Sequence, residues 1–84
     1  MANVTFELDA VEQYARLPER IKSRITTIIE RLERWPNVSG AKPLRGNLAG
    51  RYRIRTGDYR LQFYVKGAEV VIERVGHRDG FYKE

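Results

Sequence analysis

Residues 50–65 read GRYRIRTGDYRLQFYV and place four arginines and four aromatic rings in sixteen positions. Taken with a period of two, the stretch sorts itself into two faces. Arg51, Arg53 and Arg55 fall on one side of a strand, with Tyr52 and Ile54 on the other. Gly57-Asp58 is a two-residue hairpin signal, after which the alternation resumes with Tyr59, Leu61, Phe63 and Val65. Closing the hairpin at that turn sets Arg55 opposite Arg60, Arg53 opposite Gln62 and Arg51 opposite Tyr64. On the reverse face Ile54 meets Leu61 and Tyr52 meets Phe63. The register that makes one face apolar therefore makes the other cationic. Like charges directly opposite one another destabilise a sheet by up to about 1 kcal/mol per pair, so a face built this way is suited to a polyanion.

The chain has 84 residues, the size of one small domain (residues 1–84) with a thin core. It contains no cysteine, which excludes disulfides and thiolate metal sites and fits a reducing compartment. The opening MANVTFELDAVEQ carries acids and neither a basic n-region nor an apolar h-region, so it does not read as a signal peptide. No apolar run approaches the ~18 residues of a membrane span. A soluble, cytoplasmic protein with no membrane partner is expected. The net charge of +5 is unevenly placed. Residues 1–40 hold six basic and six acidic side chains, whereas residues 41–84 hold ten basic and five acidic. That asymmetry points to nucleic acid or an acidic partner.

Working outward from the hairpin, Asn3 to Leu8 alternates, with Val4, Phe6 and Leu8 on one face of a first strand. Asp9 and Glu12 have capping-box spacing and predict a short helix whose inward positions are Val11, Tyr14 and Leu17. Pro18 suits the first residue of a second helix. There Ile21, Ile25, Ile28, Ile29, Leu32 and Trp35 recur at helical spacing, while Arg20, Arg24, Arg31 and Glu33 take the polar side. The stretch PNVSGAKPLRGNLAG, residues 36–50, reads as a loop. A last strand is expected over Glu69 to Gly76, after a Lys66-Gly67-Ala68 turn. Its VVIERV run mixes faces and does not orient itself. HRDGFYKE is expected to form at most a short turn or tail. The order β-α-α-β-β-β implies an α+β domain: a helical hairpin on one face of a mostly antiparallel four-stranded sheet, with the other face left to the arginines.

The combination of KPLRGNLAGRYRIRTGDYRLQFYV, a strand ending in glycine, and then HRDGFY resembles the RelE/ParE superfamily of toxin–antitoxin toxins, and its RelE branch most closely. The likeness spans nearly the whole chain. It implies a RelE-like fold and a ribosome-dependent messenger-RNA endonuclease that works in the decoding site, without a cofactor. It further implies one cognate antitoxin covering the same surface in a hetero-oligomer. Carried onto this sequence, the second-strand RNA contacts are Arg53 and Arg55, with Arg45 and Arg51 read beside them as RNA-binding. Arg60 is the third-strand arginine that stabilises the cleaved phosphate, and Arg78 is the basic residue after the last strand. His77 matches a histidine present in many members, and Tyr82 matches the C-terminal catalytic tyrosine. The second-strand positions are arginines here, where some relatives carry lysines able to act as a base. With only two residues after Tyr82, no long helix to position that tyrosine is expected.

Cleavage of RNA by its own 2′-hydroxyl needs a base, cations for the charge on the phosphorane, and an acid for the leaving 5′ oxygen. Arginine suits the middle task, because its planar fork binds two phosphate oxygens and stays charged. Proton transfer then falls to His77, whose ordinary pKa of ~6.5 suits it, and to Tyr82. Asp79 and Glu73 are weaker candidates that serve equally well as partners for arginines. No metal-ligand set or phosphate-cradling glycine loop is present. The competing expectation keeps the fold and drops the chemistry: a ParE-like toxin that poisons DNA gyrase.

Overall fold

In a computed structural model that describes residues 2–81, the elements follow as β1 (Asn3–Phe6), α1 (Leu8–Ala15), α2 (Glu19–Leu32), β2 (Lys42–Pro43), β3 (Arg51–Thr56), β4 (Tyr59–Lys66), β5 (Glu69–His77) and a single-turn α3 (Arg78–Phe81). The sheet order is β1-β5-β4-β3-β2, with β1 parallel to β5 and the other neighbours antiparallel. The hairpin register is the one expected from the alternation. Arg55 pairs with Arg60, Arg53 with Gln62 and Arg51 with Tyr64, while Ile54 pairs with Leu61 and Tyr52 with Phe63. The helices cover the second of these faces. Ile21, Ile25, Ile28 and Leu32 of α2, with Ala10 of α1, form one core with Ile54, Leu61, Phe63, Val70, Ile72 and Val75. Trp35 closes its end by meeting Tyr52 and Phe63 edge-on, with ring centroids 4.8 and 5.4 Å apart.

Three local departures from the sequence pattern have physical causes. The sheet has five strands rather than four, because Lys42 and Pro43 pair with Arg53 and Tyr52, and Leu44 N–H bonds Arg51 O at 2.9 Å. Pro43 brings no N–H, which suits it to this edge position. The first strand stops at Phe6, so Leu8 begins α1 and lies 83% exposed instead of facing the core. Glu7, not Asp9, takes the cap position, and it makes no side-chain cap hydrogen bond. The helical phase thereby turns Ala10, Tyr14 and Leu17 inward and leaves Val11 outside. In β5, Gln62 pairs with Arg74 and Phe63 with Ile72, so Glu73 is an extra residue in a bulge. This bulge breaks the alternation of VVIERV: Val70 and Ile72 precede it on the core side, and Val75 resumes that side after it.

β1 ends opposite Ile72, and among the described residues no strand continues along that edge of β5. α1 supplies the missing partner, since Gln13 Oε1 accepts the Val75 N–H at 2.8 Å.

The placement of α1 and the core predicts a sharp contrast in denaturant unfolding. Leu61→Ala, which empties a fully buried position, is expected to cost about 2–5 kcal/mol. Leu8→Ala is expected to stay within about 0.5 kcal/mol of the parent; a core-sized loss there would restore the inward strand position.

Candidate functional site

The outer face of β3 and β4 is divided by where its acids go. At the end away from the hairpin turn, Glu73 Oε2 accepts from Arg51 Nε at 2.9 Å and from Gln62 Nε2 at 2.8 Å. The bulge that displaces Glu73 thus also places its carboxylate against β3 and β4. The Arg51 guanidinium lies 5.4 Å from the Tyr64 ring centroid, and the Tyr64 hydroxyl donates to Glu7 Oε2 at 2.9 Å. Glu7 and Glu73 are drawn into this half, and the charge of Arg51 is matched within the protein.

The other half gathers three basic side chains around a groove. Lys42, Arg53 and Arg55 line a groove of ≈ 420 Å³ whose remaining wall is Gly40 and Ala41. Arg31 of α2 steadies that wall by donating from Nη2 to the Ser39 carbonyl. Arg45 stands just before the Gly46–Leu48 3-10 turn, exposed and outside the groove lining. Lys42 is the groove cation that the sequence pattern does not reveal. It belongs to a two-residue strand, too short for any periodicity, and only the pairing of Lys42 with Arg53 brings it to the face.

Arg60 is more enclosed than an open arginine face implies, at 7% exposed. Its Nη1 donates to the carbonyls of Gly57 and Tyr59, both at 3.3 Å, folding the guanidinium back over the hairpin turn. Its buried Nε has no partner among the described residues. Arg78 reaches the same turn through its backbone, whose N–H bonds Asp58 O at 2.7 Å, while its Nε lies 3.6 Å from the Asp79 carboxylate. The structure therefore brings Arg60 and Arg78 to one turn.

His77 is directed elsewhere. It pairs with Tyr59, whereas Arg60 pairs with Gly76, so strand alternation puts His77 and Arg60 on opposite faces. The imidazole packs edge-on against Tyr59 at 5.2 Å and accepts the Asp79 N–H at Nδ1, 3.2 Å away. With Nδ1 accepting, the neutral ring carries its proton on Nε2. It borders a small cleft of ≈ 200 Å³ shared with Gln13, Arg74, Val75, Gly76 and Gly80. Tyr82, the other proton-transfer candidate, lies outside the described residues.

A family model described as "ParE toxin of type II toxin-antitoxin system, parDE" matches residues 4–80. The chain belongs to the RelE/ParE toxin family. As such it is the toxin of a type II toxin–antitoxin system. It is 32% identical over 82 residues to Toxin RelE3 of Methanocaldococcus jannaschii, covering 94% of this chain and 93% of that one. It is 37% identical over 83 residues to Toxin RelG of Mycobacterium tuberculosis, covering 95% and 94%. The toxin–antitoxin complex RelBE2 of M. tuberculosis contains a chain that superposes with a TM-score of 0.80 at 36% identity, covering 92% of this toxin and 91% of that chain. The isolated Escherichia coli RelE toxin shares the fold, with a TM-score of 0.79 at 21% identity over 92% of this toxin and 84% of that chain.

The acid-matched half of the face makes a prediction about pH. The Tyr64 phenol is held above its ordinary pKa, first because its neutral form donates to Glu7 and then through burial and the carboxylate charges of Glu7 and Glu73. Ionising it forfeits that donor and sets two anions together. Glu7→Gln is therefore expected to lower the Tyr64 pKa toward ~10 in an alkaline ultraviolet titration. An unchanged titration would separate the two residues.

Proposed function

We propose that this toxin is a ribosome-dependent messenger-RNA endonuclease that inhibits translation by promoting attack of a 2′-hydroxyl on the adjacent phosphate. The observation that carries the reading is the partition of the outer face. Glu7 and Glu73 engage Arg51, Gln62 and Tyr64 at one end, and Lys42, Arg53 and Arg55 line an open groove on the same face as Arg60. Such a surface fits a phosphate backbone, with Arg53, Arg55, Lys42 and Arg45 as contacts along it. Arg51, matched to Glu73, shapes this face and contributes less to binding.

Arg60 and Arg78 take the charge that develops on the phosphorane. Arg60 is well suited to that role because its guanidinium is held on two carbonyls and so needs little reorganisation. For proton transfer, the imidazolium form of His77, with Nδ1 3.6 Å from the Asp79 carboxylate, is the acid toward the leaving oxygen, and Tyr82 is the second candidate. Because His77 and Arg60 leave opposite faces of the sheet, the RNA must bend around the hairpin end to meet both. This requirement accords with a substrate shaped by the ribosomal decoding site.

The same basic groove supports an acidic antitoxin as partner in a cytoplasmic hetero-oligomer. Related toxins occur in solved toxin–antitoxin complexes, including RelBE2 of M. tuberculosis and RelB-RelE of Methanococcus jannaschii. The description of the matching family model favours one second reading, a ParE-like gyrase poison. Induction in bacteria followed by mapping of messenger-RNA 5′ ends separates the two. Cuts within translated regions, in frame, support the nuclease; intact messages with an SOS response overturn it.

Arg60→Ala is expected to abolish growth arrest and to cost about 1–3 kcal/mol of stability, since the Gly57 and Tyr59 carbonyls lose a charged donor. A folded variant that still arrests growth normally would remove Arg60 from the chemistry. His77→Gln is expected to slow single-turnover cleavage on saturated, programmed ribosomes by ~10²–10⁴-fold with little change in ribosome binding. Wild-type cleavage by this variant would leave the proton to Tyr82 or to the ribosome.

A further inference from the structure

The turn between β3 and β4 gathers a cation that its own strands do not supply. Gly57 holds a left-handed conformation with φ of 61°. A Cβ at this glycine would stand 3.3 Å from Nη1 of Arg24, which projects from α2. Arg60 meets the same residue through its carbonyl, donating from Nη1 to Gly57 O at 3.3 Å. α2 packs on the core face and Arg60 leaves the outer face, so two guanidinium groups reach one glycine from opposite sides of the sheet. Among the described residues neither Arg24 nor Arg60 has an ion-pair partner. Arg78, bonded through its N–H to Asp58 O, flanks the same turn. Arg78 is paired with Asp79 at 3.6 Å, but Arg24 and Arg60 converge with no ion pair among the described residues to offset their charges, and an anion seated between them relieves that repulsion.

We propose that Arg24 is a further phosphate-binding residue of the toxin, gripping the RNA backbone where the strand passes over the hairpin end from the outer face toward α2. The inference rests on the proposed RNA-binding role of the outer face and extends it across the sheet edge. Gly57 then has two functions. Its conformation closes the turn, and its missing side chain leaves room for Arg24. In the helical pattern Arg24 is one of several exposed polar positions, and a period-two reading of the strands does not reach it. It is the turn geometry that distinguishes it from Arg20, one helical turn earlier.

Counterion release provides the test, because each phosphate contact to single-stranded nucleic acid contributes about 0.7 to the slope of log K against log salt. Binding of the intact chain to a short single-stranded oligouridylate is measured across a salt series, with thermal unfolding followed in parallel. Arg24→Gln is expected to flatten the slope by about 0.7, and Arg24→Lys to restore it. Arg20→Gln, an equal loss of charge on the same helix, is expected to leave the slope at the parental value. An unchanged slope in Arg24→Gln overturns the inference while leaving RNA binding by the outer face intact. Equal flattening in Arg20→Gln also overturns it, by reducing the effect to net charge. A parent chain that does not bind the oligonucleotide at all overturns both this inference and the RNA reading beneath it. A loss of stability with an unchanged slope assigns Arg24 to packing over the turn.

Discussion

The Gly57-Asp58 turn determines which face each side chain of β3 and β4 takes, and most of the molecule depends on that choice. Side chains alternate with a period of two, so a slip of one residue at the turn would exchange the faces of one strand. Arg53 would then move toward the helices, and Tyr52 and Ile54 would lose their contacts with Phe63 and Leu61. The penalty for burying a guanidinium without a partner makes that alternative inaccessible. One local conformation, the left-handed glycine, thus links the apolar core to the cationic surface. Neither is adjustable without the other.

Charge on the outer face is then refined by two acids distant in sequence. Glu73 arrives through a bulge in β5, and Glu7 arrives from the junction of β1 and α1. Together they neutralise the end of the face nearest β1, whereas Lys42, Arg53 and Arg55 cluster toward the β2 edge. The result is a directional field across a small sheet instead of a uniform cationic surface. A polyanion experiences both attraction and alignment from such a field. The bulge serves the fold and the site together, since the residue it displaces is the one that neutralises Arg51.

The features legible in the sequence were those carried by a repeated period. Ile21, Ile25, Ile28 and Leu32 announced α2, and the alternation from Arg51 to Val65 announced the hairpin and its register. Features carried by one or two residues were hidden. Lys42 and Pro43 form a strand too short to show alternation. The helical phase of α1 depends on where β1 ends, and Phe6 and Leu8 look alike in the pattern although one is packed and the other is exposed. VVIERV did not orient itself because its period changes at Glu73. Among the candidate site residues, Arg53 and Arg55 stood on the expected face. The relation of His77 to Arg60 depended on pairing across β4 and β5, which the bulge controls, and so could not be read along the chain.

The short β2 has a consequence for how the toxin behaves in company. It pairs only with Tyr52 and Arg53, so among the described residues the last ones of β3 have no strand beyond them. An open edge of this kind is a template on which another chain's strand can grow, and a protein with such an edge risks assembling into sheets. Here the exposed edge carries Arg55, with Lys42 beside it. A second copy approaching edge to edge would bring its own cations against these. Arg55 and Lys42 thereby oppose the edge-to-edge pairing of two copies that an unfinished sheet would otherwise invite.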